Sequence, residues 1–187
     1  MSLATSDFRK GLKLLIEGQP FEIIDFQHVK PGKGGAFVRT KLRGLKSDNV
    51  LDKTFRSGER FEEGDFSEKP LQYLYLEGES AIFMDMETYE QLSIPFSVLG
   101  NKRFYLKEGI EVRALFLGTD PLTIEIPTFV ELKVVEAEPG VRGDTAQGGT
   151  KPATLEGGLV VQVPLFIEQG EVLRVDTRTG MYIERAK

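Results

Sequence analysis

The sequence predicts an all-β protein assembled from small barrels. Three observations lead there. Short runs rich in Val, Ile, Phe, Tyr and Leu recur along the chain, and clusters of Gly, Pro, Asp and Asn separate them. Helical periodicity is scarce, which leaves few candidates for layers other than sheets. The 187 residues fit two or three barrels of ~60 residues better than one large core. Barrels this small bury little surface alone, so they are expected to pack against one another.

The first third, residues 1–63, carries strands near Leu12–Glu17, Phe21–Val29, Ala36–Leu45 and Leu51–Arg56, with turns in "EGQP" and "KSDN". The acidic stretch "FEEGDFSEKP" then reads as a linker into residues 64–127. There "LQYLYLEGESAIFMD" is a hairpin, and "IEVRALFLGTDPLTIEIP" is a second one around Gly-Thr-Asp-Pro. Between them "ETYEQLSIPFSVLGNKRFYL" is the least strand-like stretch and is assigned a short helix or two. Residues 128–187 open with the strand "FVELKVVEAEP". A glycine-rich loop from Gly140 to Gly158 follows, long enough to suggest a functional segment. Leu159, Val161, Val163, Leu165 and Ile167 then alternate onto one face, and Pro164 marks an edge strand.

Charge is unevenly spread. Residues 1–63 hold 12 basic and 9 acidic residues, net +3, while 64–127 are net −6 and 128–187 net −2. The basic excess lies in "HVKPGKGGAFVRTKLRGLK", which has six cations, with no acid between Asp25 and Asp48. Such asymmetry points to a polyanionic partner for one end of the molecule. Alternation puts Phe37, Arg39, Lys41 and Arg43 on one face of a strand at about 7 Å spacing, and Val38, Thr40 and Leu42 on the barrel side. Phosphates are gripped by cations spaced in this way, without sequence being read. Lys30 extends the set toward a tip of Pro31, Gly32, Lys33, Gly34 and Gly35. Pro31-Gly32 is expected to make the tight turn, and the later glycines keep the backbone slim. Arms of this length carry the tip ~25 Å from its base. Nothing in the tip can desolvate Lys33, which is expected as a cation rather than a Schiff-base nucleophile.

Composition closes off most chemistry. With no Cys, disulfides, thiolate zinc sites and cysteine nucleophiles are excluded. The single histidine, His28, excludes a multi-histidine metal site and leaves one candidate for any triad. No catalytic residue, metal or cofactor is expected, and the protein is not read as an enzyme. No apolar run approaches the ~20 residues that span a bilayer. The N-terminus lacks a signal-peptide core because Asp7, Arg9, Lys10 and Lys13 interrupt it. A cytoplasmic location with no membrane partner follows as the expectation. A general RNA-binding module of OB or SH3 type is the alternative reading of the basic finger. The net −6 of residues 64–127, whose aromatics lack interleaved cations, weighs against it.

Two stretches of the first third, "DFRKGLKLLIEGQPF" and "HVKPGKGGAFVRTKLRGL", and one of the last, "PGVRGDTAQGGTKPATLEGGLVVQVPLFIEQGE", resemble the bacterial translation elongation factor P family. Lys151, Ala153, Gly158, Val161, Val163, Pro164, Ile167 and Gly170 fall at the spacings of the family signature. The resemblance implies an N-terminal KOW/SH3-like barrel followed by two OB-fold domains, in an L-shaped, tRNA-like arrangement. It implies a monomer that binds the 70S ribosome between the peptidyl and exit tRNA sites. There the family stimulates peptide-bond formation and relieves stalling at consecutive prolines. Lys33 aligns with the residue that reaches the CCA end of the peptidyl-tRNA. In the family that residue is a lysine extended by β-lysylation or by an aminopentanol group, or an arginine carrying rhamnose. Lysine here excludes the rhamnose branch and leaves a modified or a bare lysine open. The resemblance implies a lysine-modifying enzyme as a partner, and ribosomal RNA and peptidyl-tRNA as contacts of Lys30, Arg39, Lys41 and Arg43. It places Gly143, Asp144 and Thr145 near the exit-site codon of the mRNA.

Overall fold

The computed structural model describes residues 1–140 and 148–187, and the chain is almost entirely β. In the first sheet β1 (Ser2–Ala4), β2 (Lys13–Ile16), β3 (Gln19–Val29), β4 (Phe37–Gly44), β5 (Val50–Arg56) and β6 (Arg60–Glu62) lie in the order β1-β6-β2-β3-β4-β5. Glu17 and Gly18 turn β2 into β3 with φ of 52° and 76°, the pair of positive values that suits the twist of a two-residue hairpin. Leu14, Ile23, Val38 and Leu42 are fully buried beneath this sheet. Phe8, Phe55 and Phe61 close the core, with ring centroids 4.8–6.1 Å apart; Phe55 meets Phe8 and Phe61 edge to face, and Phe8 is tilted against Phe61. Burial of each such side chain stabilises the fold by about 1.5–3 kcal/mol. β1 and β6 are too short to carry a visible alternation. They pair Ser2 with Glu62 and Ala4 with Arg60.

The second sheet holds β7 (Phe66–Glu77), β8 (Ser80–Asp85), β9 (Gln91–Pro95), β10 (Glu111–Leu117) and β11 (Asp120–Glu125), in the order β11-β10-β7-β8-β9. The third holds β12 (Phe129–Ala137), β13 (Thr150–Leu155), β14 (Val160–Pro164), β15 (Val172–Asp176) and β16 (Met181–Arg185), in the order β14-β13-β12-β15-β16. Both therefore place their first strand in the middle, one hairpin on each side. This is the strand order expected of an OB-fold.

By compactness Met1–Glu68 group with Leu115–Thr123, and Lys69–Ala114 with Ile124–Lys187. In the first unit Leu45, Leu115 and Leu122 are buried together, with Phe66 and Leu117 packed against them. In the second unit Leu132, Leu155, Val163, Ile167, Leu173 and Val175 are fully buried, and Tyr105 joins them. Gly157, at φ 86°, lies so close to Phe104 that a Cβ would meet its carbonyl oxygen at 2.7 Å. Among the described residues no helix is long and apolar enough to cross a membrane.

Several expectations need correction. "FEEGDFSEKP" is not a linker: β6 ends and β7 begins inside it, and its exposed Glu62, Ser67 and Glu68 are strand residues. The helical stretch contains β9 before α1 (Phe96–Leu99) and a 3-10 turn at Gly100–Tyr105. The hairpin β10–β11 turns at Gly118 and Thr119, so Asp120 and Pro121 belong to the edge strand β11. The loop drawn from Gly140 to Gly158 is cut short by β13, where Lys151, Ala153 and Leu155 point inward. Pro152 disguises this strand. Pairing with β12 ends at Ala153, so Pro152 stands beyond that ladder and its missing N–H is tolerated. Pro164 ends β14, which is an edge strand as the proline suggested.

Candidate nucleic-acid interface

The site is the β3–β4 hairpin. Its arms pair from Phe21 with Gly44 up to Val29 with Phe37, and residues 30–36 form the tip. Lys30, Pro31, Gly32, Lys33, Gly34 and Gly35 are all exposed. A Cβ added at Gly32, Gly34 or Gly35 would meet nothing within 4 Å, so no side chain packs around the tip there. The positive φ falls at Gly34, 104°, and not at Gly32, so the turn chemistry sits one residue after Lys33 rather than before it. Ordered arms thus end in a thin tip whose one long charged group past Pro31 is Lys33.

Above the tip the arms sort by alternation. Val38, Thr40, Leu42 and Gly44 are buried, while Arg39, Lys41 and Arg43 are exposed. Thr40 satisfies its hydroxyl by donating to the carbonyl of Lys53, 2.7 Å away. Arg39 lies with its guanidinium carbon 5.5 Å from the centroid of the Phe37 ring, which fixes the cation beside an aromatic face.

The outer face is not the bare cationic row that β4 alone suggests, because the neighbouring strands carry acids. Directly opposite residues in antiparallel strands share a face with Cβ atoms ~5 Å apart. At the base Glu22 stands opposite Arg43, and Oε2 accepts from Nη2 at 2.5 Å. One row further out Lys41 lies between Asp25 and Asp52. Lys10 also reaches Asp25, Nζ to Oδ1 3.3 Å. That hydrogen bond, then the Phe26 N–H and the charges of Lys10 and Lys41, hold the Asp25 carboxyl below its usual range. The next row is different: Arg39 lies between Gln27 and Thr54. Of the four cations expected to grip phosphate, Lys30 and Arg39 lie in the acid-free outer part, and Lys41 and Arg43 have carboxylates opposite them.

A β-bulge causes this. The register of β3 against β4 shifts between Ile23 and Asp25. The extra residue reverses the alternation, so Glu22 and Asp25, three apart, both face outward. Strict period-two reading sends them to opposite faces.

Gly143, Asp144 and Thr145 lie outside the described residues. The segments that flank them are tied down. Lys151, only 8 % exposed, donates from Nζ to the carbonyl of Glu138 at 2.6 Å. A Cβ at Gly140 would meet the carbonyl oxygen of Leu165 at 2.8 Å, so glycine permits that approach. Sequence reasoning missed Lys151 as a core residue. The alternation Lys151, Ala153, Leu155 was the available signal. It missed the partners Glu22, Asp25 and Asp52 as well, which only strand register brings together. Among the described residues no cluster of His, Cys, Asp or Glu is placed to hold a metal ion.

Comparison with known proteins agrees with this architecture along the chain. Residues 4–61 match the family described as Elongation factor P (EF-P) KOW-like domain, 66–124 its OB domain, and 130–185 Elongation factor P, C-terminal. Elongation factor P of Thermodesulfovibrio yellowstonii is 52% identical over 185 residues, covering 99% of each chain. That of Desulfovibrio desulfuricans is 53% identical over 182 residues, covering 97% of this chain and 98% of its own. Among solved structures, eukaryotic translation initiation factor 5A from Methanococcus jannaschii is similar with a TM-score of 0.53 and 25% identity, over 68% of this chain and 92% of that one. A finger and two five-stranded barrels in this order, matched over nearly every residue at about half identity, place the chain in the elongation factor P family of translation elongation factors.

Proposed function

We propose that this translation factor binds the 70S ribosome between the peptidyl and exit tRNA sites and stimulates peptide-bond formation, relieving stalls at consecutive prolines. The observation that carries the reading is Lys33, exposed at the end of an unpacked tip and held out by the paired arms of β3 and β4. In this reading Lys33, bare or extended by a modifying enzyme, reaches the CCA end of the peptidyl-tRNA, and Lys30 and Arg39 lie on its backbone. The three-domain division at residues 1–63, 64–127 and 128–187 belongs to the same proposal.

The chemistry is left to ribosomal RNA. Proline's ring restricts φ and disfavours the reactive geometry. The tip offers a cation and no acid–base pair, so its contribution is orientational. The required magnitude is modest. A tenfold acceleration needs about 1.4 kcal/mol, and one hydrogen bond to a charged group supplies about 1.5–3 kcal/mol.

The test is purified translation of a template encoding Pro-Pro-Pro. The protein, with Lys33 modified or bare, is expected to speed passage through the stall, and Lys33→Ala to abolish the effect without unfolding the protein. If both forms leave the stall unchanged while a known family member relieves it, the reading fails. Equal affinity for free RNA and for ribosomes would instead mark a general RNA-binding module.

A further inference from the structure

We propose that Asp25 and Asp52 are a carboxylate fence that confines phosphate contact to the outer part of the finger, and that Arg56, on β5, is a phosphate contact there together with Arg39. The proposal rests on the function proposed above and adds a positioning device to it.

The argument comes from register. Four rows cross the outer face of β3, β4 and β5. From base to tip they read Glu22, Arg43, Val50; then Asp25, Lys41, Asp52; then Gln27, Arg39, Thr54; then Val29, Phe37, Arg56. The first is neutral in sum; the second is neutral as well, because Lys10 bridges Asp25 at 3.3 Å while Lys41 lies between Asp25 and Asp52; and the two outer rows each carry a single cation with no carboxylate opposite it. Arg56 is exposed, and its backbone N–H donates to Oε2 of Glu59 at 3.1 Å. Lys30 and Lys33 follow toward the tip. The face therefore changes from compensated to cationic between two adjacent rows, about 7 Å apart along the strand.

A polyanion laid on this face is held by Arg39 and Arg56, with Phe37 between their rows, and finds the cations one row further in already compensated. Lys41 does not extend the grip, because it lies between two carboxylates. The distance from the gripped phosphate to Lys33 is then set by the number of residues between the Arg39 row and the tip. A uniformly cationic finger would let the backbone slide along it. The fence removes that freedom, so the tip arrives at one depth. The occupant is the phosphate backbone of RNA, since the contact is made by guanidinium groups on an exposed strand face.

The test measures binding to 70S ribosomes carrying peptidyl-tRNA, from 50 to 200 mM salt, beside Pro-Pro-Pro synthesis. Removing one phosphate contact lowers the slope of log K against log salt by about 1. Arg39→Gln and Arg56→Gln are each expected to do so, and Lys41→Gln to leave the slope unchanged. Asp25→Asn combined with Asp52→Asn is expected to raise the slope and tighten binding at low salt, yet slow synthesis because the tip loses its depth. Thermal melts of each variant check folding. An unchanged slope in Arg56→Gln overturns the proposal, as does a Lys41→Gln loss equal to that of Arg39→Gln. So does faster synthesis by the double Asn variant. Weaker binding of Arg56→Gln with no change of slope would mark a protein surface as the partner and also overturn it. If the wild type fails to relieve the stall while the slopes behave as stated, the function proposed above falls and the footprint stands.

Discussion

Lys151 and Glu138 are joined by a hydrogen bond of 2.6 Å from a lysine that is 8 % exposed to a backbone carbonyl. A buried ammonium needs such a partner, since an unsatisfied charge in an apolar setting is costly. Lys151→Met keeps the aliphatic stem and is expected to cost about 1.5–3 kcal/mol, the worth of a charged hydrogen bond. Lys151→Ala also leaves a cavity and should cost more. The unfolding transition of the third sheet in urea, followed with hydrogen exchange of β12 and β13, checks both.

The tip should behave in the opposite way. Because nothing packs within 4 Å of the glycine positions around Lys33, Lys33→Ala is expected to change stability by less than about 0.5 kcal/mol. Thermal melting measures this. A large drop in melting temperature would mean that the tip is packed after all.

Two glycines make a paired test of backbone approach. Gly157→Ala forces a positive φ of 86° and a Cβ 2.7 Å from the Phe104 carbonyl oxygen. It is expected to destabilise the protein by about 1–3 kcal/mol through strain alone. Gly32→Ala meets open space at an ordinary φ and is expected to be nearly neutral. Denaturant midpoints of the two variants against the parent decide it.

Acid sensitivity follows from buried carboxylates. Asp176 is 6 % exposed, and its carboxyl is held below the usual range by hydrogen bonds from the Arg178 side chain and then the Arg178 N–H, against burial. Asp85 is 3 % exposed and depressed first by the N–H of Glu87, with Thr88 and Lys69 adding to it. A folded value below the unfolded one means stability that is present at neutral pH and is lost as pH falls below about 4. Asp176→Asn is therefore expected to be less stable than the parent at pH 7, with the gap narrowing as pH falls below about 4. Melting temperatures across that range test the sign, and a gap that widens in acid would contradict it.

Much of the finger was legible in one strand. Val38, Thr40 and Leu42 alternate with Arg39, Lys41 and Arg43, and a half-buried strand has no other way to place them. The barrels were legible as strand runs and turns. What escaped was hidden by polar residues in strand positions: Ser67, Glu68 and Lys69 made the start of β7 look like a linker, and Lys151 and Pro152 made β13 look like a loop. Gly34 rather than Gly32 takes the positive φ because the whole seven-residue tip, and not the Pro-Gly pair, closes the hairpin.

By itself the chain order dictates an all-β molecule, a lysine at a glycine-flanked tip, and a ban on cysteine and multi-histidine chemistry. Those follow from residue type and period, which are local. Which cations on the finger stay uncompensated is not local. Glu22 and Asp25 share a face because of a bulge, and Asp52 meets Lys41 because β5 returns in one register out of several. Charge on a sheet is summed across strands, so tertiary pairing decided where the finger is cationic and where it is not.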